Sequence, residues 1–291
     1  MKVLILGSGY LAGNIYQNLS KKYFARVAGR NTKNNSNITT LSWPKINLSV
    51  FKDIDVVIDT LGMNSDDCQK FKDSAMSFGE SVTKLNVRAA IESNVKKYIF
   101  VSTVHVYEED MRGIYDENSE PLSKHPYALS KIGSEVVLNE NQHFIETSII
   151  RCGNCFGFSP FKNSEFEKLA ANNFVLQALK NRKIEINSNP STRRNFVPID
   201  ELSQFIGFIA ENKSPKLINF VNSQSFSLLD IANKIKKIYR KKYKRELPIF
   251  LREDSRNLYN LDIRSLSLKR MKYRNSFNLE IYFEKMLGAK C

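Results

Sequence analysis

Val3-Leu4-Ile5-Leu6-Gly7-Ser8-Gly9-Tyr10-Leu11-Ala12-Gly13 is the stretch that decides the fold. Four consecutive apolar residues mark a strand buried on both faces. The glycine turn follows at once, and an amphipathic helix around Ile15 to Leu19 follows the turn. Strand, glycine turn and helix in this order give a GxGxxA pattern the context it needs to mean something. Gly7 permits the tight turn, Gly9 lets a pyrophosphate approach the backbone, and Ala12 is small enough for the helix to pack on the strand. The free amides at the helix start then face phosphate oxygens. A glycine turn with no ligand is the weaker alternative.

Working outward, Ala25-Arg26-Val27-Ala28 reads as a second strand, ending at Gly29-Arg30-Asn31. A carboxylate at that end would bond the ribose of NAD. Arg30 stands there instead, and a guanidinium suits a 2′-phosphate, which favours NADP. An ordinary surface arginine is the other reading. Asp55 to Asp59 makes another buried strand, running into Thr60-Leu61-Gly62, and helices are expected over 66–78 and 81–94. Lys97 to Thr103 is a further strand closing on two hydroxyls. Strands alternating with helices predict an α/β fold with a doubly wound, Rossmann-type parallel sheet. Ligands in such sheets bind at the carboxyl ends of strands, where Gly7, Arg30, Gly62 and Thr103 all fall.

His125-Pro126-Tyr127-Ala128-Leu129-Ser130-Lys131 is the second informative stretch. Pro126 suits a helix start, and residues four apart share a helix face, so Tyr127 and Lys131 point the same way. An ammonium fixed beside a phenol is expected to lower its pKa and make it an acid–base group near neutrality. Taken alone, a Tyr and a Lys at this spacing are more often a solvated pair.

The ordered set of motifs resembles the extended short-chain dehydrogenase/reductases, of the nucleotide-sugar epimerase, dehydratase and reductase group. Val101-Ser102-Thr103-Val104-His105-Val106-Tyr107 resembles the family strand that ends in the catalytic hydroxyl, and Pro126 to Lys131 resembles its YxxxK helix. The resemblance implies Thr103, Tyr127 and Lys131 as catalytic. It implies a cofactor site of Gly7, Ser8, Gly9, Tyr10, Leu11, Arg30, Leu61, Gly62, Tyr127, Lys131 and Cys152. Ile150-Arg151-Cys152-Gly153-Asn154-Cys155-Phe156-Gly157 resembles the next strand and turn, where Cys152 and Gly153 would touch the nicotinamide and Asn154 the substrate. Thr103, His105, Asn154, Arg194 of Arg194-Asn195-Phe196, and more loosely Arg252, would line the sugar and its diphosphate. Two departures stand out: the nucleotide turn is GxGxxA where the family more often has GxxGxxG, and Asn86 lacks the usual residues ahead of it.

The 291 residues, 42% apolar and 25% charged, fit one large α/β domain or a core plus a lobe. Residues 1–160 are expected to form the NAD(P)-binding domain and 161–291 mainly a smaller C-terminal substrate-binding lobe, with parts returning to the core. Short strands at Lys183–Ile186, Leu217–Val221 and Pro248–Leu251 are assigned to that lobe. No apolar run reaches the roughly 20 residues of a membrane span. The apolar start, Val3 to Leu6, is too short for a signal peptide, so a cytoplasmic protein and no membrane partner are expected. Four cysteines are present, and Cys152 and Cys155 form a CxxC without a second ligand pair, so no metal is expected. The net charge of +14 is concentrated in Lys234 to Arg245. Ile231, Ile235 and Ile238 give that run one apolar face, which reads as a solvated surface helix rather than a nucleic-acid stripe. A non-catalytic nucleic-acid-binding member of the fold, with Tyr239 and Tyr243 as stacking groups, is the distant alternative.

In the expected chemistry, hydride passes between nicotinamide and a sugar carbon, with Tyr127 supplying the proton and Thr103 bonding the oxygen. A 4,6-dehydratase of this group would carry Asp-Glu directly after Thr103, where Val104-His105 stands. An epimerase retains NAD, whereas a reductase consumes NADPH. Arg30 therefore favours an NADPH-dependent reductase of a nucleotide-diphosphate keto sugar, with an NAD-dependent epimerase as the alternative. A homodimer is expected.

Overall fold

Residues alternate along the first strand, β1 (Lys2–Leu6): Val3 and Ile5 enter one apolar core, Leu4 and Leu6 the other. The period of two that places side chains on opposite faces thus meets protein on both, as the continuous apolar run predicted. The computed structural model describes residues 1–29, 38–40, 48–107, 112–161, 165–252 and 260–289. Six further strands join β1: β2 (Phe24–Gly29), β3 (Ile38–Thr40), β4 (Val56–Asp59), β5 (Lys97–Thr103), β6 (Glu146–Cys152) and β7 (Leu217–Phe220). Their order is β7-β6-β5-β4-β1-β2-β3, and every neighbouring pair is parallel. Strand order therefore reverses beside β1, which is where such sheets open a crevice.

One face carries α1 (Tyr10–Leu19) and α6 (Ile199–Glu211); Ile15, Leu202, Phe205 and Ile209 share a core with Val3, Ile58 and Ile150. The other face carries α3 (Lys72–Glu92) and α4 (Pro126–Glu140) through Val87, Ala90, Val137 and Leu138. Two expected boundaries differ. The helical break falls at Phe71 (φ −117°, ψ 46°), after the short α2 (Ser65–Lys70), and not near residue 79. Gly79 stays inside α3 because α4 crosses there: a Cβ would lie 2.0 Å from the Ser130 carbonyl oxygen. Leu217–Phe220 belongs to the main sheet rather than the lobe, since it pairs with β6 from Leu217↔Ile149 to Phe220↔Cys152.

The remaining strands pair off outside the sheet. Ile184–Ile186 runs parallel to Ile249–Leu251, Asn154–Phe156 to Phe196–Pro198, and Arg112–Tyr115 to Asn260–Ile263. Arg193–Arg194 runs antiparallel to Phe226–Ser227. The lysine-rich segment is a helix, α5 (Ala170–Asn181) preceding it as neighbour and α7 (Leu228–Tyr243) carrying it. Ile231, Ile235 and Ile238 are buried and its lysines mostly exposed. Tyr239 is buried, whereas Tyr243 is exposed and its hydroxyl donates to the Leu287 carbonyl.

Candidate active site

The glycine turn sits at the carboxyl end of β1. Gly7 adopts φ 120°, and a Cβ there would lie 2.4 Å from the Thr60 hydroxyl. Gly9 caps α1 with no side-chain bond, and a Cβ on it would meet nothing within 4 Å. Open space therefore faces a helix start whose first turn holds no acidic residue, which suits an anion. Ser8 and Leu11 are half-buried beside it, whereas the Tyr10 side chain turns inward and stacks at 6.4 Å on Phe166. These groups fit a dinucleotide's phosphates. Arg30 lies outside the described residues.

Thr103 ends β5, and Tyr127 and Lys131 rise from the first turns of α4. The His125 ring caps that helix by accepting from the Tyr127 amide at 3.2 Å, with Pro126 at the first helical position. The Tyr127 and Thr103 hydroxyls lie close enough to influence each other. Burial pushes the Tyr127 phenol up to about 12, and the Thr103 hydroxyl opposes it. The expected lowering by Lys131 is not what the structure gives. The Lys131 ammonium turns away to donate to the carbonyls of Leu61 (2.9 Å) and Val101 (3.1 Å). The two residues share one helix, but the lysine's charge is directed to these strand-end carbonyls rather than to the phenol.

Lys131 is itself perturbed: burial lowers it to about 8, and the Asp59 carboxylate opposes that fall. Asp59, at the end of β4, accepts from the Leu61 amide at 2.8 Å and from the Tyr98 hydroxyl at 2.5 Å. It so fixes the residue whose carbonyl receives Lys131. Sequence reasoning passed over Asp59; an acid closing an otherwise apolar strand was the available signal. Gly62 faces the same ammonium, since a Cβ there would lie 2.9 Å from Nζ. Asn86 is fully buried, and its amide makes no hydrogen bond of its own at bonding distance. Beneath the helix, Arg151 pairs with Glu135 at 2.6 Å, and the Ser102 hydroxyl donates to Glu135 at 2.5 Å.

Across the cleft, Asn154 donates its backbone amide to Asn195 (2.7 Å), and its Nδ2 lies 3.4 Å from His105 Nε2. Its Oδ1 is buried without a partner in the protein. Burial and the nearby Arg194 cation hold His105 down at about 4, so its ring is neutral at physiological pH. The Arg194 charge is thus felt at His105, and its chain neighbour Asn195 is bonded to Asn154. Arg252 does not join this group among the described residues: it is exposed, its amide bonds Ile186 and its charge acts on Glu185. Cys152 ends β6 opposite Thr103, with its Sγ 3.3 Å from that of Cys155. Among the described residues no cluster suits a metal ion, and no helix is long and apolar enough to cross a membrane. A separate cavity of about 1050 Å³ lies by Arg193, Phe226, Asp230 and Lys234, and none of the groups above except the Arg193–Arg194 strand borders it.

A family model described as the NAD dependent epimerase/dehydratase family matches residues 3–220. Among curated proteins, a dTDP-D-glucose 4,6-dehydratase of Bos taurus is 28% identical over 156 residues, 53% of this chain and 42% of its own length. The chain thus aligns with less than half of that relative. A solved UDP-N-acetylglucosamine 4-epimerase from Methanobrevibacter ruminantium M1, in complex with UDP-N-acetylmuramic acid, superposes with a TM-score of 0.84 at 17% identity, covering 98% of this chain and 96% of the other. A UDP-glucuronic acid 4-epimerase from Bacillus cereus, with UDP-glucuronic acid and NAD, gives 0.79 at 19%, covering 99% and 98%. At such identities the likeness is one of fold.

Proposed function

The chain belongs to the NAD dependent epimerase/dehydratase family, and from that premise we propose that it is an oxidoreductive epimerase of a nucleotide-diphosphate sugar. The observation that carries the reading is the meeting of the Thr103–Tyr127 hydroxyl pair, Lys131 and the unpartnered Asn154 Oδ1 at one carboxyl edge of the sheet. When bound, the nicotinamide supplies reversible hydride transfer. The chain's own residues do the rest. Tyr127 is protonated at neutral pH in the free chain and would first have to release that proton to solvent. As phenolate it takes the sugar hydroxyl's proton while hydride leaves the carbon, and as phenol it returns the proton when hydride comes back, with the Thr103 hydroxyl beside the same oxygen. Lys131, anchored on two carbonyls, keeps a third N–H for a ribose hydroxyl. Asn154 accepts from a sugar hydroxyl, and Arg194 takes the diphosphate through its planar fork.

Dehydration is disfavoured. It calls for an acid–base pair next to Thr103, and the chain has a fully buried Val104 and a neutral His105 there. NAD is preferred here over the NADP that Arg30 favours, because the family and the NAD-bound neighbour support it. Arg30 alone supports the second reading, an NADPH-dependent reductase of a keto sugar. Residues 1–160 would bind the cofactor and much of 161–291 the sugar. Met76, Leu85 and Val136, exposed along α3 and α4, suit a second copy of the chain.

One experiment separates these. The nucleotide released from denatured protein is identified by mass, and the native protein is incubated with UDP- and dTDP-sugars and followed by NMR. Bound NAD with inversion at a sugar carbon and no net cofactor consumption is expected. Stoichiometric loss of NADPH would establish the reductase instead, and a 4-keto-6-deoxy product would return the dehydratase.

A further inference from the structure

We propose that Cys152 and Cys155 form a redox-active dithiol, a modification site that takes a low-molecular-weight disulfide as oxidant and closes the active site when oxidised. The two Sγ atoms already share an S–H···S contact at 3.3 Å, and neither is in a disulfide. Bond formation requires approach to about 2.05 Å. The partners differ in access: Cys152 is 4% exposed at the end of β6, whereas Cys155 is only partly buried in the strand Asn154–Phe156. Cys68, also buried, lies apart on α2 with its thiol on the Met63 carbonyl.

The step balances. The Cys155 thiolate attacks one sulfur of the reagent disulfide, forming a mixed disulfide and expelling one reagent thiolate. The Cys152 thiolate then attacks Cys155 Sγ, forming the internal disulfide and expelling the second. The protein loses two electrons and two protons, and the reagent disulfide gains them as two thiols.

Position makes the site consequential. Cys152 pairs in register with Thr103, and both thiols lie close enough to act electrostatically on Tyr127. The turn between the two thiols carries Asn154, whose Oδ1 is unpartnered and whose Nδ2 lies 3.4 Å from His105, and it packs on Asn195 so closely that a Cβ on Gly153 would lie 2.8 Å from that carbonyl oxygen. A disulfide across this turn therefore bears directly on Asn154. The consequence for catalysis rests on the proposed reading of the cleft; formation of the disulfide does not.

The full-length protein, reduced and freed of reductant, is treated with oxidised glutathione, then mapped by peptide mass spectrometry and titrated with NAD. A Cys152–Cys155 cross-link is expected, lighter by two hydrogens, with NAD affinity or turnover falling by about tenfold or more and returning on addition of dithiothreitol. Cys155→Ser should bind NAD like the reduced wild type and ignore the oxidant. A glutathione adduct that never resolves, or a cross-link that leaves NAD affinity and turnover unchanged, would overturn the proposal. Reduced protein that binds no nicotinamide dinucleotide would overturn the cofactor reading instead, while the peptide map still decides whether the dithiol closes.

Discussion

The two ends of β5 are each held by a buried lysine, and the two lysines are made differently. At the amino end, Lys97 is 4% exposed and directs its ammonium to the carbonyls of Ile209 (2.7 Å) and Asn212 (2.8 Å) and to the Glu146 carboxylate (2.8 Å). All three N–H groups have acceptors, one of them charged. At the carboxyl end, Lys131 is 6% exposed and bonds two neutral carbonyls, with Asp59 one residue-link away behind the Leu61 amide. Saturating a buried ammonium makes a structural tie between β5 and the end of α6. Leaving one donor unfilled, with the counter-charge held back, leaves a buried ammonium that burial lowers to about 8.

That contrast is broken most severely through Tyr127, the phenol proposed as the proton carrier on the same helix as Lys131. Tyr127→Phe keeps the ring and should leave folding and cofactor binding intact, while turnover falls roughly 10²–10⁴-fold, the range for a general acid–base group. Steady-state rates on whichever sugar the NMR panel identifies would measure this. Lys97→Met should instead leave turnover per folded molecule unchanged. A Lys97 variant that lost activity while keeping its melting profile would erase the distinction between the two ends.

Next in size is the ion pair beneath the carboxyl end. Glu135 and Arg151 are both about 95% buried and Glu135 also accepts from Ser102. Glu135→Ala would strand a buried guanidinium and should cost about 3–5 kcal/mol in urea unfolding. Lys97→Met leaves two carbonyls unpaired and should cost less, about 1–3 kcal/mol.

How much of this was legible follows the same divide. Thr103, Tyr127 and Lys131 could be read because short-range spacing on a strand end and a helix turn places them. Gly7 and Gly9 could be read because backbone conformation and close approach limit the residue type. Lys97, Glu135 and Arg151 could not, since what matters is the partner, and Lys97 meets Ile209 across 112 positions. A lysine opening a strand looks solvated until the fold covers it. The assignment of β7 to the lobe failed likewise, because three or four apolar residues do not say which strand they will pair with. Arg252, matched only by loose spacing, is exposed beside Glu185 and does not join the other candidates.

Arg194 offers a milder test, on the rim rather than the floor. Arg194→Ala should weaken nucleotide-sugar binding by about 1.5–3 kcal/mol, the range for hydrogen bonds to charged groups, and leave NAD affinity alone. Calorimetric titration with a UDP-sugar in the presence of NAD reads it directly. Equal losses for both ligands would move Arg194 from the diphosphate to the framework.

The smallest expected effect is the most specific to Lys131. Its ammonium is faced by Asp59 from β4, Cys68 from α2 and Glu135 from its own helix, all favouring the charged form against burial. Below about 8 it is protonated; as pH rises through that value it loses the proton, so turnover should decline along an alkaline limb near 8. The linked stability change has the opposite slope. Lys131 is held below its ordinary value of 10.5, so between about 8 and that value the unfolded chain binds more protons, and stability rises with pH across the window. Asp59→Asn removes the carboxylate that supports the charge but leaves an oxygen for the Leu61 amide. The alkaline limb should then shift to lower pH, with the protein still folded. A limb that stays in place in Asp59→Asn would mean that Lys131 is not the group titrating, and that the two ends of β5 differ in geometry without differing in proton chemistry.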